Sequence, residues 1–234
     1  MKKALLRTTG GPSQSFRYET RSDIIDSLAA SAAQLGEWRE ALAYRELKAS
    51  NYNSTTIFQG IFAQRNRLQL LVARGAVAME EGNLLKAVRS FSEAHQMLPG
   101  DGYLANELFP LMREMGLIEL HDQLFAESAR LCRENIRRYP EDDNVYNNFA
   151  WQAGRANRAL DEAEEYLKKA LEMNPHSAAY LDTMGEIYFA RKNRAEAIKW
   201  SEKSLENDIL GNSSNRWELQ QQNRRFKSGA FPVQ

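Results

Sequence analysis

Three histidines and one cysteine are the side chains here best suited to hold a metal or to serve as base and nucleophile. His95, His121 and His176 are far apart in the chain and fall near expected helix ends or turns, whereas a metal needs two or three converging ligands. They read as solvated or capping histidines, and no metal is expected. Cys132 lies four residues after Ser128, an offset that buries it as an inert thiol. A lone cysteine makes neither an internal disulfide nor a thiolate zinc site. Glu162, Glu164 and Glu165 precede Lys168 and Lys169 at helical spacing, so i to i+4 pairing on a solvated face accounts for them without acid-base work. GxGxxG, GxxxxGK, HExxH, CxxC and GxSxG are all absent. The expectation is a chain without catalysis, cofactor or small-molecule substrate. Asn53-Ser-Thr and Asn212-Ser-Ser match glycosylation acceptors, a pattern short enough that here it chiefly marks loops.

The elements that position these residues are helical. Among 234 residues, 43% are apolar and 26% charged, a globular composition with ample length for a core. Thirteen glycines and six prolines are too few for a turn-dense sandwich or barrel. Thirty-one basic and thirty-one acidic side chains cancel, which disfavours a bulk nucleic-acid binder. No stretch is long and apolar enough to span a membrane, and the start offers only Ala4, Leu5 and Leu6 behind two lysines. The reading is a soluble chain, with the cytoplasm favoured and the periplasm the alternative if this is a piece of a longer protein.

Small residues recur at fixed offsets, as they must where helices cross closely. Gly75, Ala87, Phe91, Ala94 and Pro99 follow at steps of 12, 4, 3 and 5. Ala163, Leu167, Ala170 and Pro175 repeat the 4, 3, 5 spacing, and Gly185 to Ala197 repeats the 12. This pattern resembles the tetratricopeptide repeat (TPR), a helix-turn-helix unit of about 34 residues. Leu181, Met184, Gly185 and Tyr188 fit its first helix, while Ser201 and Ser204 depart from the aromatic and small sites of its second. Tyr146, Phe149 and Ala150 begin another unit, with one extra residue between Ala156 and Leu160. Ile25, Leu28, Ala29, Ala32, Gly36 and Ala41 fit an earlier one, although Arg45 and Lys48 fall where an aromatic and a small residue belong. The segment between Pro99 and Pro140 reads as a stretched unit with helices over 103–115 and 119–139, the first kinked or shortened at Pro110. "NNFAW" at 147–151 and "YLDTMGE" at 180–186 are similar to a variant found in long bacterial TPR proteins.

The resemblance covers about residues 20–210 and implies an all-α, right-handed solenoid of about five helix pairs. A flexible basic segment at 1–20 leads into a repeat domain at 21–211, followed at 212–234 by a capping helix, over 215–227, and a tail. Polar linkers are expected at 48–55 and 207–214. Trp217, Leu219 and Phe226 are expected to cover the open end of the last repeat.

In this family the first helices line a concave groove for an extended peptide or partner helix. Its offsets fall on Asp23, Asp26 and Ala30; on Gln69, Val72 and Ala76; on Asn144, Asn147, Trp151 and Arg155; and on Asp182, Glu186 and Phe189. Asn147, Trp151, Arg155, Asp182, Glu186 and Phe189 carry the richest chemistry and are the candidate contact residues. Asp182 and Glu186 favour a basic or amide-rich ligand. Val72, Ala73, Asp182 and Thr183 stand where a carboxylate clamp would carry basic residues, so that mode is not expected. Trp151 and Asn147 also fit a role within the stack. The functional reading is a protein- or peptide-binding scaffold. The alternative is a structural or oligomerisation module of a larger protein. A third reading, nucleic-acid binding through Arg216, Arg224, Arg225 and Lys227, is weaker than a solvated cap.

Overall fold

The computed structural model describes residues 14–50, 57–208 and 216–229. Among them run eleven helices, five consecutive pairs and a last single one. The pairs are α1 (Gln14–Gln34) with α2 (Trp38–Ser50), α3 (Ile57–Glu80) with α4 (Leu84–Met97), α5 (Gly102–Glu114) with α6 (Ile118–Arg138), α7 (Asp143–Ala156) with α8 (Leu160–Met173), and α9 (Ala178–Ala190) with α10 (Arg194–Asn207). The single helix is α11 (Arg216–Ser228). Helix α1 reaches back into the segment read as a flexible lead-in, because no glycine or proline interrupts the sequence between Pro12 and Gly36. Residues 1–13, the linker positions 51–55, positions 209–214 and the cap position Asn215 lie outside the described residues.

Two compact units form, Met1–Met97 with α1 to α4 and Leu98–Gln234 with α5 to α11. Left-handed backbone ends the first helix of each pair. Gly36, Gly82 and Gly116 adopt φ of +75°, +71° and +73°, and Asn157 and Lys192 take the same role at +53° and +63°. The extra residue of the fourth pair is absorbed at Ala159, whose φ of +51° is a local strain an L-residue seldom accepts. Asp101, Asp142, Ser177 and Asn193 cap α5, α7, α9 and α10 by accepting backbone N–H groups of the first turns.

The small residues do the packing work their spacing implies. In the first unit Gly75 faces the ring of Phe91, where an added Cβ would stand 2.3 Å from Cε1. In the second, a Cβ on Gly185 would stand 3.1 Å from the Ala197 carbonyl of its partner helix. Ala41, Ala87, Ala163 and Ala197 are all fully buried.

Some readings change. His121 is buried rather than solvated, edge-on to Phe109 at 5.4 Å, with Nδ1 2.7 Å from Asp122; burial pushes its pKa down. His95 is buried as well, and His176 is exposed beside Asn207. His121 and His95 lie on packed helices whose interiors leave no solvent at those positions. Glu162 pairs with Arg133 of α6 through two contacts of 2.7 Å, not with a lysine one turn on. The Cys132 thiol is buried, which pushes its pKa up to about 11.

Candidate functional site

The second unit sets its first helices side by side, α5 against α7 and α7 against α9. A missing hydrogen starts the polar chain that joins them. Pro110 sits inside α5 and has no N–H, so the Asn106 carbonyl four residues earlier has no helical donor. Arg155 of α7 supplies one, Nη2 donating to Asn106 O at 2.7 Å. The same asparagine accepts at Oδ1 from Trp151 Nε1 at 2.7 Å, and the indole also reaches Gly102 O at 3.3 Å. Trp151 is thus half-buried against α5, with the Arg155 guanidinium 6.0 Å from its ring centroid.

Arg155 then turns to α9. Its Nη1 donates to Glu186 Oε1 at 3.1 Å. Gly154 permits the approach, since a Cβ there would stand 3.0 Å from Glu186 Cγ. The other carboxylate oxygen of Glu186 accepts from Arg225 and, at 3.1 Å, from Gln222 Nε2, both on α11. Burial alone would raise the pKa of Glu186, yet Arg225 and Arg155 hold it below the usual carboxylate range. Asp182, one turn earlier on α9, is buried with Oδ1 lacking a partner among the described residues. Burial, and then the charge of Glu186, push its pKa up to about 8. Arg225 is pushed down to about 10 by burial, with the positive charge of Arg155 adding to the shift.

Five of the six candidate residues therefore meet in one network or against it. Phe189 is fully buried, its ring 4.8 Å from that of Phe226 and 4.6 Å from the Arg225 guanidinium. Asn147 is half-buried two turns before Arg155, and its side-chain oxygen has no partner among the described residues. Glu186 has its charge answered from within the chain, so a basic ligand is not needed to neutralise it. In the first unit, Val72 and Ala76 are buried and Asp26 pairs with Lys48. Sequence reasoning missed Asn106, Gln222 and Arg225 as members of this face. Pro110 was the available signal for Asn106, because a proline past the first turn of a helix leaves the carbonyl four residues back without its helical donor.

Helix α11 differs in detail from its expected role. Leu219 and Phe226 are buried as expected, but Trp217 is 59% exposed because it points off the covered face. Its basic residues are engaged: Arg216 with Asp208 at 3.2 Å, Arg225 with Glu186, Lys227 with Glu202 at 2.7 Å, and Arg224 Nε with Gln220 O at 3.4 Å. Among the described residues no group of histidine, cysteine and carboxylates could hold a metal, and no helix is long and apolar enough to cross a membrane.

Residues 144–177 match the sequence pattern of the tetratricopeptide repeat, spanning most of α7 and all of α8. Protein FlbA of Caulobacter vibrioides is 33% identical over 131 residues, which are 56% of this chain and 21% of FlbA. The chain thus spans about a fifth of that relative's length. Among solved structures, the TPR2AB domain of yeast Sti1 in complex with pHSP90 is 17% identical, covering 90% of this chain and 89% of that one at a TM-score of 0.40. MamA 41-end from Desulfovibrio magneticus RS-1 is 14% identical, covering 82% and 97% at a TM-score of 0.33. Residues 144–177 thus carry a tetratricopeptide repeat on α7 and α8, and the same buried small-residue spacing recurs in the pairs α3–α4 and α9–α10.

Proposed function

We propose that this chain is a non-catalytic protein-binding scaffold and that the side of the second unit formed by α5, α7 and α9 is its contact face. The observation that carries this reading is the arrangement of Trp151 and Arg155. Both are fixed by Asn106 and both follow Asn147 at helical spacing on α7, Trp151 part-buried and the Arg155 side chain 12% exposed, an anchor set of the kind that dominates interface energetics. Asp182, Glu186 and Phe189 are buried next to α11 and do not meet a partner directly. The repeat family is generally non-catalytic and typically serves protein-protein interaction, which supports the same reading.

The test places a photo-crosslinking amino acid at Asn147 and, as a control, at the exposed Lys203 of α10, in the native cell. A partner captured from Asn147 and not from Lys203 is expected; equal capture from both, or from neither, removes the reading. Replacing Trp151 by Ala should weaken that partner by on the order of thirtyfold, about 2 kcal/mol. Because Trp151 also bridges α7 to α5, melting is measured beside binding, and equal loss of both would assign the indole to the fold alone. A second reading, a structural module within a larger protein, is favoured by the length of FlbA relative to this chain. Sedimentation of the isolated chain as a stable dimer would support it.

A further inference from the structure

We infer that Arg113, in the last turn of α5, takes an aspartate or glutamate side chain from a partner segment lying along α5 and α7. The inference rests on the reading of that side as a contact face and names the chemistry one end of it accepts.

In the second unit the arginines at or just past the ends of the first helices have carboxylates of their own, with one exception. Arg155 is answered by Glu186, Arg158 by Asp122 at 2.9 Å, and Arg191 by Asp161 at 2.6 Å and by Glu164. Arg113 is half-buried, yet no hydrogen bond or ion pair joins it to a described residue. Its chain neighbour Glu114 is exposed and points elsewhere, because successive residues on a helix lie about 100° apart. Of the three Arg113 nitrogens, Nη1 is shut off from solvent without an acceptor among the described residues, which leaves Nε and Nη2 as the open fork. The chain itself shows what such a fork takes: Arg133 Nε and Nη2 donate to the two carboxylate oxygens of Glu162, both at 2.7 Å.

The surroundings set the sign of the ligand. Arg155 and Arg158 lie within electrostatic reach of Arg113, and burial together with the charge of Arg155 pushes its pKa down. Glu186 reaches it too, but that one carboxylate is shared by Arg155 and Arg225, so positive charge is in excess before Arg113 is counted. Asp182, its pKa pushed up to about 8, is mostly protonated at neutral pH and does not cancel the excess. A basic ligand would add to the repulsion, whereas a carboxylate relieves it. The favoured charge is thus the opposite of the one expected from Asp182 and Glu186. Because Arg155 and Arg158 are already committed to internal carboxylates, neither is free to help Arg113 grip a chain end. A side-chain carboxylate instead lets the partner segment run on along α7 toward Trp151.

Two measurements on the full chain test this. Arg113→Met keeps an aliphatic stem and removes a charge that nothing among the described residues answers, so the variant should melt at or above the wild-type temperature. A lower melting temperature, or failure to fold, would assign Arg113 to the fold and overturn the inference. In the second, the immobilised chain captures pools of short acetylated, amidated peptides, mixed in sequence apart from a central Glu, Asp, Gln or Lys. The Glu and Asp pools should exceed the Gln and Lys pools by at least about tenfold, and Arg113→Met should erase that preference. Arg137→Met, which removes an exposed charge on α6, should leave it intact. A central-Gln pool with a free C-terminus controls for capture of a chain end. Capture of no pool, equal capture of the Glu and Gln pools, equal loss in both variants, or a free-terminus pool matching the Glu pool overturns the inference. Crosslinking from Asn147 reports whether any partner docks on the face, so a partner captured there alongside pools without acidic preference would break this inference alone.

Discussion

Helices α2 and α8 carry the same three buried positions with opposite chemistry. In α8 they are Ala163, Leu167 and Ala170; in α2 they are Ala41, Arg45 and Lys48. Arg45 is 5% exposed and Lys48 9%, about as hidden as their counterparts. Their partners explain how. Arg45 donates to the Gln69 carbonyl of α3, and Lys48 pairs with Asp26 of α1, so each cation is answered by a helix already in contact with α2. The repeat thus fixes which positions are buried and leaves their chemistry to the neighbours. Helix α10 gives a third solution, Ala197 with Ser201 and Ser204, where Ser204 Oγ donates to the Ala178 carbonyl at 2.7 Å.

The strongest way to break this comparison is to move the chemistry without its partners. Leu167→Arg puts a guanidinium where α8 offers no equivalent of Gln69, and leaving it unpaired should cost about 3–5 kcal/mol or more, enough to unfold the second unit in a urea titration. The converse swap, Arg45→Leu with Lys48→Ala and Asp26→Ala, should be tolerated, since replacing buried polar pairs by apolar groups is often neutral. Loss of the first unit's cooperative transition in that triple variant would show the charges to be indispensable.

Buried charge in the second unit is sharpened by pH. The pKa of Asp182 is raised on folding, so its contribution is fully present below the ordinary carboxylate range and is lost as pH rises toward about 8. Asp182→Asn removes that loss. The variant should match the wild type near pH 4 and melt higher by several degrees at pH 8, an effect of a few kcal/mol. Glu186 has the opposite sign: its pKa is lowered, so its contribution is present at neutral pH and fades in acid. A melting difference that is flat in pH would show that Asp182 is not a strained buried acid.

Two smaller effects test the packing. Gly75→Ala drives a methyl into the rigid Phe91 ring and should cost about 1–3 kcal/mol by chemical denaturation. An unchanged midpoint would mean that α3 and α4 part without penalty. Ser204→Ala removes one buried hydrogen bond and leaves the Ala178 carbonyl without that donor, for about 0.5–1.5 kcal/mol in the same assay.

What could be read from the sequence follows the same division. Gly75, Phe91, Ala163, Leu167 and Gly185 were legible because packing geometry recurs at fixed offsets within one helix pair. The partners of Arg45, Lys48, Arg155 and Glu186 were not, because each lies in another helix 22 to 49 residues away and no local spacing encodes it. Trp217 was read as a cover because it is large and apolar, whereas the helix turns Leu219 and Phe226 inward and leaves no room for it. The six candidate residues were picked from offsets and from their side-chain chemistry. The offsets locate a side of the unit, but they carry no information on how much of that side another helix covers.

Pro110 has a further consequence, for alignment. Helices α5 and α7 lie in contact, and apolar contact by itself tolerates a slip of one turn. The Asn106 carbonyl lacks a helical donor at a single point along α5, and Arg155 can reach it from a single point along α7. Any slipped arrangement would strand that acceptor away from water and separate Trp151 from the Asn106 side chain as well. The proline thus acts as an index mark: by deleting one hydrogen it makes the two helices recognise one setting among several of similar apolar contact.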